Sequence, residues 1–308
     1  MSRYDRRRVN GPPSYVPIYD SASSTAAIAS TSAPIATTSQ LRPDKRSYAD
    51  LRPIFLQTNL VPSASGSSYV EIGDLKLACS VFGPRQVKGR QYSGKAELNV
   101  EVKFAPFSSR RRRKPGKTTE SAHLSSVLHQ ALLPSLRLDL LPKASLDIHI
   151  MVLQTDGLEE CCIAAACIAA STALASAGIE MYGIVVGTVA LIPSSVELAH
   201  DKRILLDPSS ADLGLVSGMK TASRVLMCGM PALASVTCLN VSAGSNQLML
   251  KSQNPRSMSL CAGVEADTLD EALAAINAGL VDIHKVVAQA LAEDFQRRSA
   301  LTNSSTPH

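Results

Sequence analysis

Ser145-Leu-Asp-Ile-His-Ile-Met-Val-Leu153 runs through Gln154-Thr-Asp-Gly157 into Leu158-Glu-Glu-Cys-Cys-Ile-Ala-Ala-Ala-Cys-Ile-Ala-Ala-Ser-Thr-Ala-Leu174. The first part places Leu146, Ile148, Ile150 and Val152 at a period of two, the pattern of a strand with one buried face. The second part carries no charge from Cys161 to Ile179 and approaches the length of a membrane span. Its side chains are mainly Ala, Ser, Thr and Cys, whose transfer into lipid is weak, and Gly178, Glu180 and Gly183 then interrupt it. A buried helix over about 160–177 is therefore the expectation. Such small side chains suit helices and strands that approach closely.

Outward from this unit the same two periods recur. Tyr69 and Glu71, then Leu75, Leu77, Cys79 and Val81, alternate on either side of Gly73-Asp74, a favourable hairpin turn. Leu98, Val100, Val102 and Phe104 form another strand, and a Pro- and Arg-rich loop follows over 105–117. Leu124, Val127, Leu128, Ala131 and Leu132 share one helical face. Downstream, strands are expected at Ile184–Ile192, Ile204–Leu206, Ala222–Met227, Ser235–Val241 and Gln247–Lys251. A final helix carries Leu269, Leu273, Ile276, Leu280, Ile283, Val287 and Leu291, with Thr268 and Glu271 as a capping box. Strands, helix, strand, helix, strands, helix is an α+β order. Residues 41–300 read as one domain. Residues 1–40, of which 21–40 are almost all Ser, Ala, Thr and Ile, read as a disordered tail, and so do 301–308.

Composition narrows the chemistry. With 308 residues, 45% hydrophobic, a core of useful size is possible, but aromatics are 4% and Trp is absent, so aliphatic side chains must fill it. The net charge of +5 is concentrated at Arg6–Arg8 and in the run Arg110, Arg111, Arg112, Arg113, Lys114. Seven cysteines without regular spacing or a CxxC argue against a disulfide framework and for reduced, buried thiols in the cytosol or nucleus. No apolar leader marks secretion. GxSxG, HExxH and Walker patterns are missing, and His149 and His200 lack ligand-spaced partners. No metal and no cofactor are expected.

Five segments carry a resemblance in a fixed order: Arg42-Pro-Asp-Lys-Arg46 with Leu51-Arg-Pro-Ile54; Gly66-Ser-Ser-Tyr-Val-Glu-Ile-Gly73 leading to Val81-Phe-Gly-Pro-Arg85; Ala105-Pro-Phe-Ser108 and its Arg run; Val152-Leu-Gln-Thr-Asp-Gly157; and Ala177-Gly-Ile-Glu-Met-Tyr182 with Leu206-Asp-Pro208. Together they resemble the RNase PH family over about 41–210. The resemblance implies an α+β, RNase PH-like (ribosomal protein S5 domain 2-like) two-layer sheet-and-helix domain. The segments Phe107–Arg113 and Met181–Gly187 look most like a ring subunit of the eukaryotic RNA exosome, of the mRNA transport regulator type.

Two absences then bear on activity. Active members of the family cleave RNA with inorganic phosphate, which a Gly-Ser/Thr-Arg element grips after the strand that ends here at Leu153-Gln154. This chain has Asp156-Gly-Leu-Glu-Glu160 instead, and 157–177 contain no Lys or Arg. The family also places an acid on a following strand. Asp207 and Asp212 remain, but 213–264 contain neither Asp nor Glu. Turn and cap chemistry is the simpler reading of both aspartates. The expectation is a subunit with no catalytic residue, in a complex that trims and degrades RNA from the 3′ end, including rRNA maturation and mRNA turnover. The alternative is an active phosphate-dependent 3′–5′ exoribonuclease with a shifted site.

Binding remains. Guanidinium groups contact phosphates without reading bases. In the resemblance, the basic loop faces a pore for single-stranded RNA, which makes Arg110, Arg111, Arg112 and Arg113, assisted by Lys114, the expected RNA contacts. A solvated loop or a nuclear localisation signal is the plainer reading. Arg85, Lys88 and Arg90 are weaker candidates. Scarce aromatics argue against a base-stacking module. The partners implied are the other RNase PH-like ring subunits, the S1/KH cap subunits, an associated exoribonuclease and single-stranded RNA, with no membrane. The implied localisation is nucleus, nucleolus and cytoplasm. Val185–Leu191 and Val236–Val241 are apolar segments that are either covered by ring neighbours or belong to ordinary core strands.

Overall fold

The computed structural model describes residues 42, 44–86, 94–109, 112–113, 119–193, 204–209, 211–212, 222–242 and 266–304. The first sheet contains β1 (Ile54–Thr58), β2 (Gly66–Ile72), β3 (Leu75–Gln86), β4 (Glu97–Phe104) and β5 (Ala144–Gln154), in the order β1-β2-β3-β5-β4. Ile72 pairs with Leu75 across the Gly73-Asp74 turn, where Gly73 takes φ +58°. The expected hairpin is present because glycine adopts this left-handed conformation without a Cβ penalty. β4 lies parallel to β5, and α1 (Thr119–Leu132) makes the crossover that a parallel pair requires.

The second sheet is antiparallel, in the order β7-β6-β8-β9, from β6 (Val186–Pro193), β7 (Leu205–Leu206), β8 (Ala222–Met230) and β9 (Ser235–Ser242). Helix α2 (Glu159–Ser176) packs on β2 and β3 with one side and on β6 and β8 with the other. Helix α1 touches β4 and β9, and α3 (Ala266–Ser304) touches β1 and β6. The two-layer sheet-and-helix arrangement thus occurs twice, and the two sheets share one layer of helices.

This position explains the composition of α2. By length and apolarity it could cross a membrane, yet Cys161–Leu174 are all buried inside the protein. Its small side chains let backbones meet. A Cβ on Gly66 would stand 2.3 Å from the Ala173 carbonyl oxygen, and one on Gly187 would stand 2.9 Å from Ala164 Cα. The Ser68 hydroxyl donates to the Ala169 carbonyl and the Ser171 hydroxyl to that of Val185, each at 2.7 Å, which satisfies polar atoms in an otherwise dry layer.

Three expectations change. Val185–Leu191 is a central strand between β7 and β8, with every hydrophobic residue in it buried, so it is core and not a ring contact. Helix α3 is described from Ala266, so the stretch in front of the expected Thr268 and Glu271 capping box lies outside the described residues, and the helix continues to Ser304. β1 was not anticipated as a strand, because only Ile54 and Leu56 mark its inner face. The strand expected at Gln247–Lys251 and the tail expected at 1–40 lie outside the described residues.

Candidate functional site

The loop after β4 is held at its base by backbone. Ala105 N–H donates to the Val152 carbonyl at 2.9 Å, Ser108 N–H to that of Ala105 at 2.9 Å, and Thr155 N–H to that of Ser108 at 2.8 Å. These bonds join the loop to the end of β5. Ala105 and Ser108 are buried, whereas Phe107 between them is 73% exposed. Of the five predicted RNA contacts, Arg112 is exposed to solvent. Arg113 is drawn onto the protein: its guanidinium lies 4.1 Å from the Phe104 ring centroid, pairs with Glu120, and donates to the Ser109 hydroxyl at 3.3 Å. Arg110, Arg111 and Lys114 lie outside the described residues.

The start of α2 adjoins this loop. Glu160 accepts from Arg224 Nη1 of β8, at 3.4 and 3.5 Å, and from the Ser242 hydroxyl of β9 at 2.9 Å. Burial raises the Glu159 carboxyl above its ordinary range, and the charges of Glu120 and Glu160 add to that; His123 and Arg113 oppose it. Residues 157–177 lack a base, but the fold brings Arg113 and Arg224 to this end of α2, and both are engaged by glutamates. Sequence reading missed Arg224, which lies 64 positions from its partner. Only its place at the inner end of an otherwise uncharged strand could have signalled it.

The two aspartates have different roles. Asp207, at φ +47°, accepts from Arg52 Nε at 2.8 Å, from Nη2 at 2.6 Å and from the Arg52 backbone N–H at 3.0 Å, while Arg52 Nη1 donates to Asp156. Burial opposes the Arg52 charge, but the hydrogen bond and charge of Asp207 outweigh it and hold the guanidinium pKa above its ordinary value. Asp207 thus turns the chain after β7, and its carboxylate in addition anchors the entry to β1. For Asp212 the cap reading holds. Its carboxylate accepts from Ser209 N–H at 2.9 Å and from the Ser209 hydroxyl at 3.0 Å. Arg42 and Arg46 each stand 3.9 Å from it, and burial lowers the Arg42 pKa against the pull of Asp212.

The thiols offer no nucleophile here. The six described cysteines are free, and burial pushes Cys162 up to about 12 and raises Cys161 well above the ordinary thiol value. Among the described residues no three His, Cys, Asp or Glu side chains are grouped as metal ligands.

This arrangement of two sheets around shared helices is also that of a solved structure, the Archaeoglobus fulgidus exosome with RNA bound to the active site. The TM-score is 0.61 at 17% identity, over 80% of this chain and 92% of that one, which shows a common fold. The family "3′ exoribonuclease family, domain 1" (RNase PH) matches residues 50–180. Mouse exosome complex component MTR3 is 35% identical over 188 residues, 56% of this chain and 68% of that protein. Arabidopsis thaliana exosome complex component RRP41-like is 34% identical over 201 residues, 65% of this chain and 72% of that protein. The chain belongs to the RNase PH family, in the group that contains exosome ring components. The similarity to MTR3 agrees with the subunit type that Phe107–Arg113 and Met181–Gly187 resemble.

Proposed function

We propose that the chain is a non-catalytic ring subunit of an RNA exosome, which helps thread single-stranded RNA to associated 3′–5′ exoribonucleases. One observation carries this reading. Where active relatives would hold a phosphate, Glu160 sits at the start of α2 and is satisfied internally by Arg224 and Ser242. An incoming dianion would meet two carboxylates and would have to compete for an arginine already paired. Asp207 is likewise committed to Arg52.

The ring role draws support from β9. Among the described residues it is an edge strand, and Val236, Leu239 and Val241 are exposed along it. An exposed apolar edge is an association surface unless covered, and neighbouring RNase PH-like subunits would cover it. The Arg110–Lys114 run would contact the RNA backbone, with Arg113 also fastening the loop to α1. S1/KH cap subunits complete the proposed assembly, and its place of work is the nucleus, nucleolus and cytoplasm.

The test is phosphorolysis with the ring reassembled from its subunits. RNA and inorganic phosphate are supplied, and nucleoside diphosphates are measured. No release attributable to this chain is expected. Release that disappears with Asp212→Asn would establish the alternative, an active phosphate-dependent exoribonuclease. Copurification followed by mass spectrometry should recover ring and cap proteins, and their absence would refute the assembly.

A further inference from the structure

We infer that Phe107 is a base-stacking contact for single-stranded RNA, placed at the head of the arginine loop. The inference rests on the RNA-guiding function proposed above and adds to it a residue that touches bases rather than phosphates.

An exposed phenylalanine alone means little. Phe107 differs in how it is held. Ala105 and Ser108, which bracket Pro106 and Phe107, are buried; Ala105 N–H donates to the Val152 carbonyl of β5, the Ser108 carbonyl accepts from Thr155 N–H just past β5, and Arg113 N–H closes the other side on the Pro106 carbonyl at 3.0 Å. The ring is therefore carried outward on a stiff base, and little conformational freedom remains to be lost on stacking. Its surroundings also select the occupant. Residues 103–119 contain seven basic side chains and no acidic one; Lys103 and Arg113 pair with the flanking Glu101 and Glu120, which leaves five in excess, and Arg112 is exposed beside the turn. Phe295 is as exposed, at 73%, but its neighbours Arg297 and Arg298 are paired with Glu293 and Asp294, so that site is charge-balanced. An aromatic face beside an exposed guanidinium in a cationic run fits a polyanion that carries flat, unpaired bases. A protein partner would call for further exposed apolar side chains, and the described residues of this turn, Pro106, Ser108 and Ser109, provide none.

The experiment uses the full chain in the reassembled ring and a fluorescent oligouridylate, with a parallel oligonucleotide in which abasic sites replace the bases. Stacking on one side chain corresponds to about five- to a hundredfold in affinity. Phe107→Ala should weaken oligouridylate binding within that range. Phe107→Trp should retain it, and Phe107→Leu should lose it despite keeping an apolar group. The slope of log affinity against log salt should stay unchanged, and the effect should vanish on the abasic strand. Arg112→Ala should instead lower the salt slope by about one, on both oligonucleotides. If Phe107→Ala or Phe107→Leu binds like the parent while Arg112→Ala weakens binding, stacking is overturned and the RNA-guiding function stands. If neither substitution matters, the RNA-guiding function itself fails. If Phe107→Ala loses a ring or cap protein but keeps its RNA affinity, the side chain is a protein contact and the inference is wrong. A solvent-exposed ring makes loss of folding no obstacle, and an unchanged Tm checks this.

Discussion

Arg52 and Asp207 lie 155 positions apart in the chain, and both oxygens of the Asp207 carboxylate accept from the Arg52 side chain. The Arg52 side chain is 5% exposed, and Asp156 occupies its remaining nitrogen. The ion triad fastens the segment before β1 to the end of β7 and to the turn that enters α2. Breaking a buried pair from one side leaves a charge without its counter-ion, at a cost of about 3–5 kcal/mol. Asp207→Ala should fall at the lower end, about 3 kcal/mol, because Asp156 still faces the guanidinium. Denaturant unfolding measures this, and a loss below about 1 kcal/mol would remove the triad's structural role.

Gly66 meets α2 where only hydrogen fits. A Cβ there would lie 2.3 Å from the Ala173 carbonyl oxygen and 2.5 Å from the Ala177 backbone nitrogen. Backbone atoms cannot rotate aside, so β2 and α2 must separate. Gly66→Ala should destabilise by about 1–3 kcal/mol, the range for overpacked cores. Urea midpoints compared at constant m-value test it, and an unchanged midpoint would show that the layers yield freely.

Arg113 and Arg112 should separate stability from RNA binding. Arg113 stacks on Phe104 and pairs with Glu120, so Arg113→Ala should lower stability by about 1 kcal/mol, mostly through the ring contact. Arg112→Ala should leave Tm within error and should weaken RNA crosslinking more than Arg113→Ala does. Equal effects on crosslinking would show that the Glu120 pair does not restrain Arg113.

Leu239 on the outer face of β9 tests assembly. Leu239→Lys places a charge on an exposed edge strand, which discourages pairing with another chain. The circular dichroism spectrum and Tm should persist, whereas copurification with ring neighbours should fall. Intact recovery of the ring would mean that neighbours dock elsewhere.

The elements themselves were largely legible, because their signals are local. The Gly73-Asp74 hairpin, the alternation of Leu146, Ile148, Ile150 and Val152, and the charge-free run of small side chains in α2 each require only a few neighbouring residues to be read. The C-terminal end of α3 was less legible, since the helix runs on to Ser304, past the last apolar residue of its periodic face, Leu291. Between Val185–Leu191 and Val236–Val241, local apolarity could not distinguish core from edge. Strand order decides it, and strand order depends on contacts across the whole domain.

By itself the sequence determined the alternation of strands and helices, the need to bury α2 among close backbones, the cationic run Arg110–Lys114, and the missing base in 157–177 and acid in 213–264. Tertiary structure alone decided which charges meet. Arg224 comes to Glu160, Arg52 to Asp207 and Arg113 to Glu120, so the two arginines near the start of α2 are engaged by carboxylates of α2 and α1 and not by a ligand. The reason is physical: periodicity and hydrophobicity act between neighbours along the chain, whereas an ion pair needs only a few ångströms in space, at any separation in sequence.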